Sequence, residues 1–323
     1  MPGKIQKIAA GLISCLLLAL LAFLSFSRAR TFSDPETLWR DTLEKNPSAW
    51  MAHGNLARLL AERGRHAEAL THYRAVVGER PLMADGHFNL GVELFATGQG
   101  AEAEAEFRQA LRIDPKLSVA SQALGFLLLQ EGRDVEALDA FRRVTAQNPG
   151  RAEGRYGAGL ALLAMNRPQD ARRELSLAAG LMPADAPAVD RAEIYLNLGL
   201  SLERLGKPGG ALAAYGRAAA VAPGYGRPFH RMGLILARSG RLPEAREALE
   251  RAVAADPSSA AARHDLGIVL FRQGRVEDAA DELAEAVRLA PDWEEARRHL
   301  ALVRLRAGGN PNPKPSPASA SAP

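Results

Sequence analysis

Residues 84–117 read ADGHFNLGVELFATGQGAEAEAEFRQALRIDPKL, and the stretch decides the fold because it recurs along the chain. Leu90, Gly91 and Leu94 lie at helical spacing before Gly98, and Ala103, Phe107 and Ala110 do the same before Pro115. Prolines stand at 47, 81, 115, 149, 183, 223, 257 and 291, so successive intervals are 34 residues with a single interval of 40. Twelve residues before each proline from Pro81 onward is an alanine, and twelve before that is Ala57, Gly91, Gly125, Gly159, Gly199, Gly233 or Gly267. The small residue and the alanine are expected to face each other where the paired helices come closest, a place that a larger side chain would force open. Seven residues after the small position come Gly64, Gly98, Gly132, Asn166, Gly206, Gly240 and Gly274, each suited to end a helix in a left-handed turn. A period of this length signals stacked helical hairpins rather than a single globular core.

The repeats occupy 50–83, 84–117, 118–151, 152–185, 192–225, 226–259 and 260–293, with a six-residue insert at 186–191 that lengthens one connection. Residues 31–49 read as half a repeat, in which Ser33-Asp34-Pro35-Glu36 forms a capping box for a helix ending at Lys45. Residues 294–307 read as a final capping helix. Glu294, Glu295, Arg297, Arg298 and Arg304 give it a polar face, and Leu300, Ala301 and Leu305 are expected to pack on the seventh repeat. Residues 308–323 are rich in Pro, Ala and Ser and read as a disordered tail.

Leu90-Gly91, Ala103, Phe107, Ala110 and Pro115, repeated seven times, resemble the tetratricopeptide-repeat (TPR) family. The resemblance implies an all-α, right-handed solenoid whose first helices line a groove for protein or peptide segments. Its members of the O-linked N-acetylglucosamine transferase type hold an extended peptide backbone with asparagines just before the Leu-Gly pair, which implies that role for Asn55, Asn89 and Asn197. In this chain Ala123, Gly157, Arg231 and Asp265 interrupt the ladder. A second set of groove candidates is Arg204, Arg238 and Arg272, spaced by one repeat, with His230, Arg231 and His264 nearby. A row of guanidinium groups suits carboxylates. The same spacing also follows from the preference of helix C-termini for cations.

Residues 1–30 carry an uncharged apolar run at about 8–26, close to the roughly 20 residues that cross a bilayer as a helix. We read it as a single-pass anchor, with a cleaved signal and a lipid-modified Cys15 as the alternatives. Lys4 and Lys7 before the run and Arg28 and Arg30 after it nearly balance, which leaves orientation open. The junction from Arg28 through Thr37-Leu38-Trp39-Arg40-Asp41 to Asn55-Leu56 is similar to that of polytopic TPR proteins of the O-mannosyltransferase type. That resemblance implies a non-cytoplasmic, periplasmic array, with the cytoplasmic face as the alternative.

The remaining composition narrows the function. Lys and Arg exceed Asp and Glu by only 41 to 37, too small and dispersed an excess to expect nucleic acid. With Cys15 the sole cysteine, neither an intrachain disulfide nor a cysteine-based metal site is expected. There is no glycine-rich phosphate loop or His-Glu-x-x-His. His53 and His87 share one repeat position and His230 and His264 another, which we read as reuse of polar positions rather than metal ligation. The expectation is a membrane-anchored scaffold without enzyme activity, cofactor, metal or small-molecule substrate. An accessory or truncated part of a glycosyltransferase system is the alternative.

Overall fold

The computed structural model describes residues 34–308. They form sixteen α-helices, with no strand among the described residues. A short helix α1 (Pro35–Lys45) precedes the hairpins α2 (Trp50–Glu62) with α3 (His66–Glu79), and α4 (Ala84–Ala96) with α5 (Gly100–Ile113). There follow α6 (Ser118–Gln130), α7 (Asp134–Gln147), α8 (Ala152–Ala164) with α9 (Pro168–Leu181), and α10 (Ala188–Arg204) with α11 (Pro208–Val221). The last hairpins are α12 (Gly226–Arg238) with α13 (Leu242–Ala255), and α14 (Ala260–Arg272) with α15 (Val276–Leu289), closed by α16 (Glu294–Gly308). The helices group into two compact units that part after Arg133, so α1–α6 belong to the first and α7–α16 to the second. The apolar run at 8–26 and the tail beyond 308 lie outside the described residues. Among those described, no helix is long and apolar enough to cross a membrane.

Within each unit the hairpins form for the reasons the period suggests. All seven residues at the end of the first helices have positive φ, from 54° at Asn166 to 80° at Gly274. Asn166 is the one non-glycine among them, and its side chain makes that backbone tolerable as few others would. The close approach inside a hairpin differs from the expectation. A Cβ added to Gly199 would lie 2.3 Å from the Tyr215 ring, and one on Gly91 would lie 2.7 Å from Phe107. The glycines thus make room for the large side chain one turn beyond the alanine. The alanine itself contributes its carbonyl, as Ala103 O does at 3.3 Å from the position of a Gly91 Cβ.

Three further expectations need correction. The insert is not simply a longer connection, because Ala188–Arg191 extend the first helix of the fifth repeat, giving α10 its 17 residues. At the front, Asp34 is the N-cap and Pro35 the first helical residue. Its carboxylate accepts from Thr37 N at 3.0 Å and Thr37 Oγ1 at 2.6 Å. Glu36 instead pairs with Arg40 at 2.9 Å within α1 and ties the helix to the first repeat through Arg65 at 2.6 Å and Arg63. At the rear, α16 buries Ala296, Leu300 and Val303, while Ala301 and Leu305 face outward. The i, i+4, i+7 spacing points the buried three to one side, and Leu300 and Val303 join a cluster with Leu270 and Leu283.

Candidate functional site

Several first helices touch the next within their unit, α4 with α6 in the first and α8 with α10 and α12 with α14 in the second, where α14 also touches the capping helix α16. The side chains just before the Leu-Gly pair stand on these helices.

In the first unit, Asn55 and Asn89 line one cavity of about 230 Å³, together with Trp50, Met51, Gly54 and Arg58. Asn55 Nδ2 donates to Met51 O at 2.9 Å, within its own helix. A carboxamide carries two N–H groups and an acceptor oxygen, so this bond leaves one donor and the oxygen available. Asn89 is exposed. Met51 is exposed at 62%, and the Arg80 guanidinium sits 5.3 Å from the centre of the Trp50 ring, which fixes the cavity wall.

In the second unit the third asparagine is buried and engaged. Asn197 Nδ2 donates to Glu193 O at 2.9 Å and approaches Tyr156 Oη and Glu193 Oε2 at 3.4 Å. Glu193 also accepts from Arg227 at 2.9 Å and from the Tyr225 hydroxyl. Burial, reinforced by that bond to Glu193, pushes the Tyr225 hydroxyl up to about 12. Burial raises Tyr156 further, with Glu193 adding to the effect. Arg231 and His230 line a neighbouring cavity of about 210 Å³ with Arg227, Leu196, Leu200 and Leu234. Arg231 makes no ion pair among the described residues, so its charge faces that cavity.

Each member of the arginine row already makes a bond within the protein. Arg204 donates to Leu163 O and Arg272 to Ala237 O at 3.0 Å, each capping the last turn of the preceding first helix. Arg238 pairs with Glu203 at 3.3 Å. Each arginine reaches a residue 35 positions back, or 41 across the insert, and so bonds to a neighbouring repeat.

The histidines divide by position. His53 and His87 brace their own hairpins. His53 Nδ1 meets His72 Nδ1 at 2.8 Å, and His87 Nδ1 meets Glu106 Oε2 at 2.6 Å. Their Nε2 atoms reach Pro47 O at 2.9 Å and Pro81 O at 3.0 Å. Arg155 with Glu174 and Arg263 with Glu282 repeat the brace at the same 19-residue separation. Burial, with His53 next to it, lowers the pKa of His72. His230 and His264 instead bond between repeats. His230 Nε2 lies 2.7 Å from Asp265 Oδ2, His264 Nδ1 lies 3.1 Å from Asp265 Oδ1, and His264 Nε2 lies 2.8 Å from His299 Nδ1. Burial opposes the charge of Asp265, but the bonds from His230 and His264 hold its carboxyl down at about 2. Neither Asp265 nor His299 is expected in this part from its place within one repeat. A search for polar pairs 35 residues apart, one more than the period, finds both.

Models described as tetratricopeptide repeat match residues 20–82, 67–118 and 230–293, residues 128–194, and residues 192–225. No curated protein matches the chain. Among solved structures, PilF of Pseudomonas aeruginosa is 21% identical, with 68% of this chain and 97% of that chain covered and a TM-score of 0.58. PilW, described as a widely conserved type IV pilus biogenesis factor, is 20% identical over 67% and 98% of the two chains, with a TM-score of 0.60. A tetratricopeptide-repeat protein of Parabacteroides merdae is 16% identical over 82% and 98%, with a TM-score of 0.59. At these identities the likeness is one of fold.

Proposed function

The chain belongs to the tetratricopeptide-repeat family, and from that premise we propose that it is a binding scaffold that takes extended segments of partner proteins on its first-helix faces. The cavity shared by Asn55 and Asn89 carries the reading. Its amides have hydrogen-bonding capacity left over, which suits a peptide backbone, and the exposed thioether of Met51 gives an adaptable apolar contact. In the second unit, the cavity edged by Arg227, His230 and Arg231 suits an acidic segment. The chemistry expected of the site is recognition, without bond making.

A photo-crosslinking residue placed at Asn55 or Asn89 in the full chain in cells is expected to trap a partner. The same residue at Glu102, exposed on a second helix, traps none. Equal trapping at all three positions overturns the reading.

The finer part of the proposal is location. The apolar run at 8–26 anchors the chain and the repeats lie on the non-cytoplasmic side of the membrane, where they help organise a membrane-associated assembly. PilW, which shares the fold and is described as a biogenesis factor, supports an assembly role. Alkaline phosphatase fused after Arg306 is expected to be active. Activity only from a cytoplasmic reporter at that position overturns the location without touching the binding reading.

A further inference from the structure

We propose that His264, His299 and Glu295 form a binding site for a divalent transition-metal ion, zinc in the first instance, which fastens the capping helix α16 to the seventh repeat. The three side chains offer ligand atoms that all lie within 4.8 Å of one another. Glu295 and His299 are four residues apart on α16 and so share a face, while His264 comes from α14.

His264 is prepared for this role. It is 5% exposed, and its ring packs against Trp293 with centroids 4.5 Å apart. With Asp265 Oδ1 3.1 Å from Nδ1, that nitrogen is the one that carries the proton, which turns the Nε2 lone pair toward His299. A carboxylate behind a ligating imidazole fixes the tautomer and strengthens the ligand, and Asp265 is itself held by His230 from α12. The two facing nitrogens are 2.8 Å apart. Zinc–nitrogen bonds of about 2.0–2.1 Å in tetrahedral geometry separate two nitrogens by roughly 3.3 Å, so the pair opens by about half an ångström. His299 is half-buried and Glu295 exposed, which leaves an entry path and room for water as a fourth ligand.

The His53–His72 pair also brings two ring nitrogens together but has no third donor grouped with it among the described residues. It serves as the internal control.

The test uses the full chain in detergent, free of any histidine tag, stripped with a chelator and titrated with zinc chloride. We expect saturable binding of one zinc per chain and slower amide exchange over residues 294–308. Binding should weaken at least about tenfold in His299→Ala and in Glu295→Gln, and stay unchanged in His72→Ala. Cobalt(II) in place of zinc should give the visible absorption of a four-coordinate site, lost in His299→Ala. Glu295→Gln alters an exposed side chain and serves as the test if His299→Ala fails to fold. Absence of saturable binding overturns the proposal, leaving His264 and His299 as a hydrogen-bonded pair. So does binding that is unaffected in Glu295→Gln, or lost in His72→Ala.

Discussion

In the first unit, the position before the Leu-Gly pair holds Asn55 and Asn89, whose side chains open onto a cavity, and then Ala123. In the second, the same position holds Gly157, Asn197, Arg231, Asp265 and His299, and three of these five bond to the preceding repeat, at Tyr156, His230 and His264. The backbone geometry that presents the side chain is shared. What differs is whether the residue one position earlier in the preceding repeat can bond to it. At Gly54, which stands behind Asn89, it cannot, and that asparagine stays available. At Tyr156, His230 and His264 it can, and the same position becomes a tie between repeats.

The largest effect is expected from adding a methyl group to a first-helix glycine in each unit. A Cβ on Gly157 would lie 2.1 Å from the fully buried Phe141 ring, so Gly157→Ala should destabilise the second unit by about 1–3 kcal/mol in urea unfolding. Gly54→Ala on the first unit meets nothing nearer than Val76 Cγ2 at 3.8 Å and should stabilise by up to about 1 kcal/mol through helix propensity. Equal effects at the two sites would mean that the faces are packed alike.

A smaller effect concerns the front of the first unit. The bonds from Arg40 and then Arg65 hold the Glu36 carboxyl below its usual range. Because its folded pKa is depressed, the stability it contributes is present above the unfolded value near 4.5 and disappears as pH falls through the folded value. Thermal unfolding of the wild type should therefore lose Tm between pH 5 and acid, while Glu36→Gln starts lower by a few degrees and shows less of this slope. In the second unit the Asp265 carboxyl is likewise held low, at about 2.

The smallest effects sharpen the view of the arginine row. Arg272→Ala removes a donor to Ala237 O and should cost about 1 kcal/mol. Arg238→Ala breaks a pair in which the arginine side chain is 69% exposed and should change stability by less than about 0.5 kcal/mol. A double-mutant comparison of the two by thermal unfolding checks the order.

The hairpins were legible because their causes recur: a residue that tolerates a left-handed turn, a glycine beside a ring, and a proline that stops a helix. Register within one repeat follows from such local rules. Contacts between repeats do not, because stacking offsets the meeting residues by one position beyond the period. Arg204, Arg238 and Arg272 therefore looked like an open row, while each in fact bonds back to the repeat before it. Asn197 matched Asn55 and Asn89 in sequence, but the Tyr156 hydroxyl and the Glu193 cluster enclose it. At the rear helix apolar residues lie on more than one face, so composition alone does not fix the phase, and Val303 is buried where Leu305 is expected.

The one-residue offset between repeats has a consequence for how such a chain can lengthen. His230 meets Asp265, and His264 meets His299, so the sixth and seventh repeats carry the same outgoing histidine. A tandem copy of the seventh repeat would present His264 to a second Asp265 and still deliver a histidine to His299. Gene duplication at this end can thus add a module without orphaning a buried polar group, whereas loss of α16 leaves the His264 Nε2 with no mate. The pairing acts as a grammar in which repeats are interchangeable words and the last helix is the full stop.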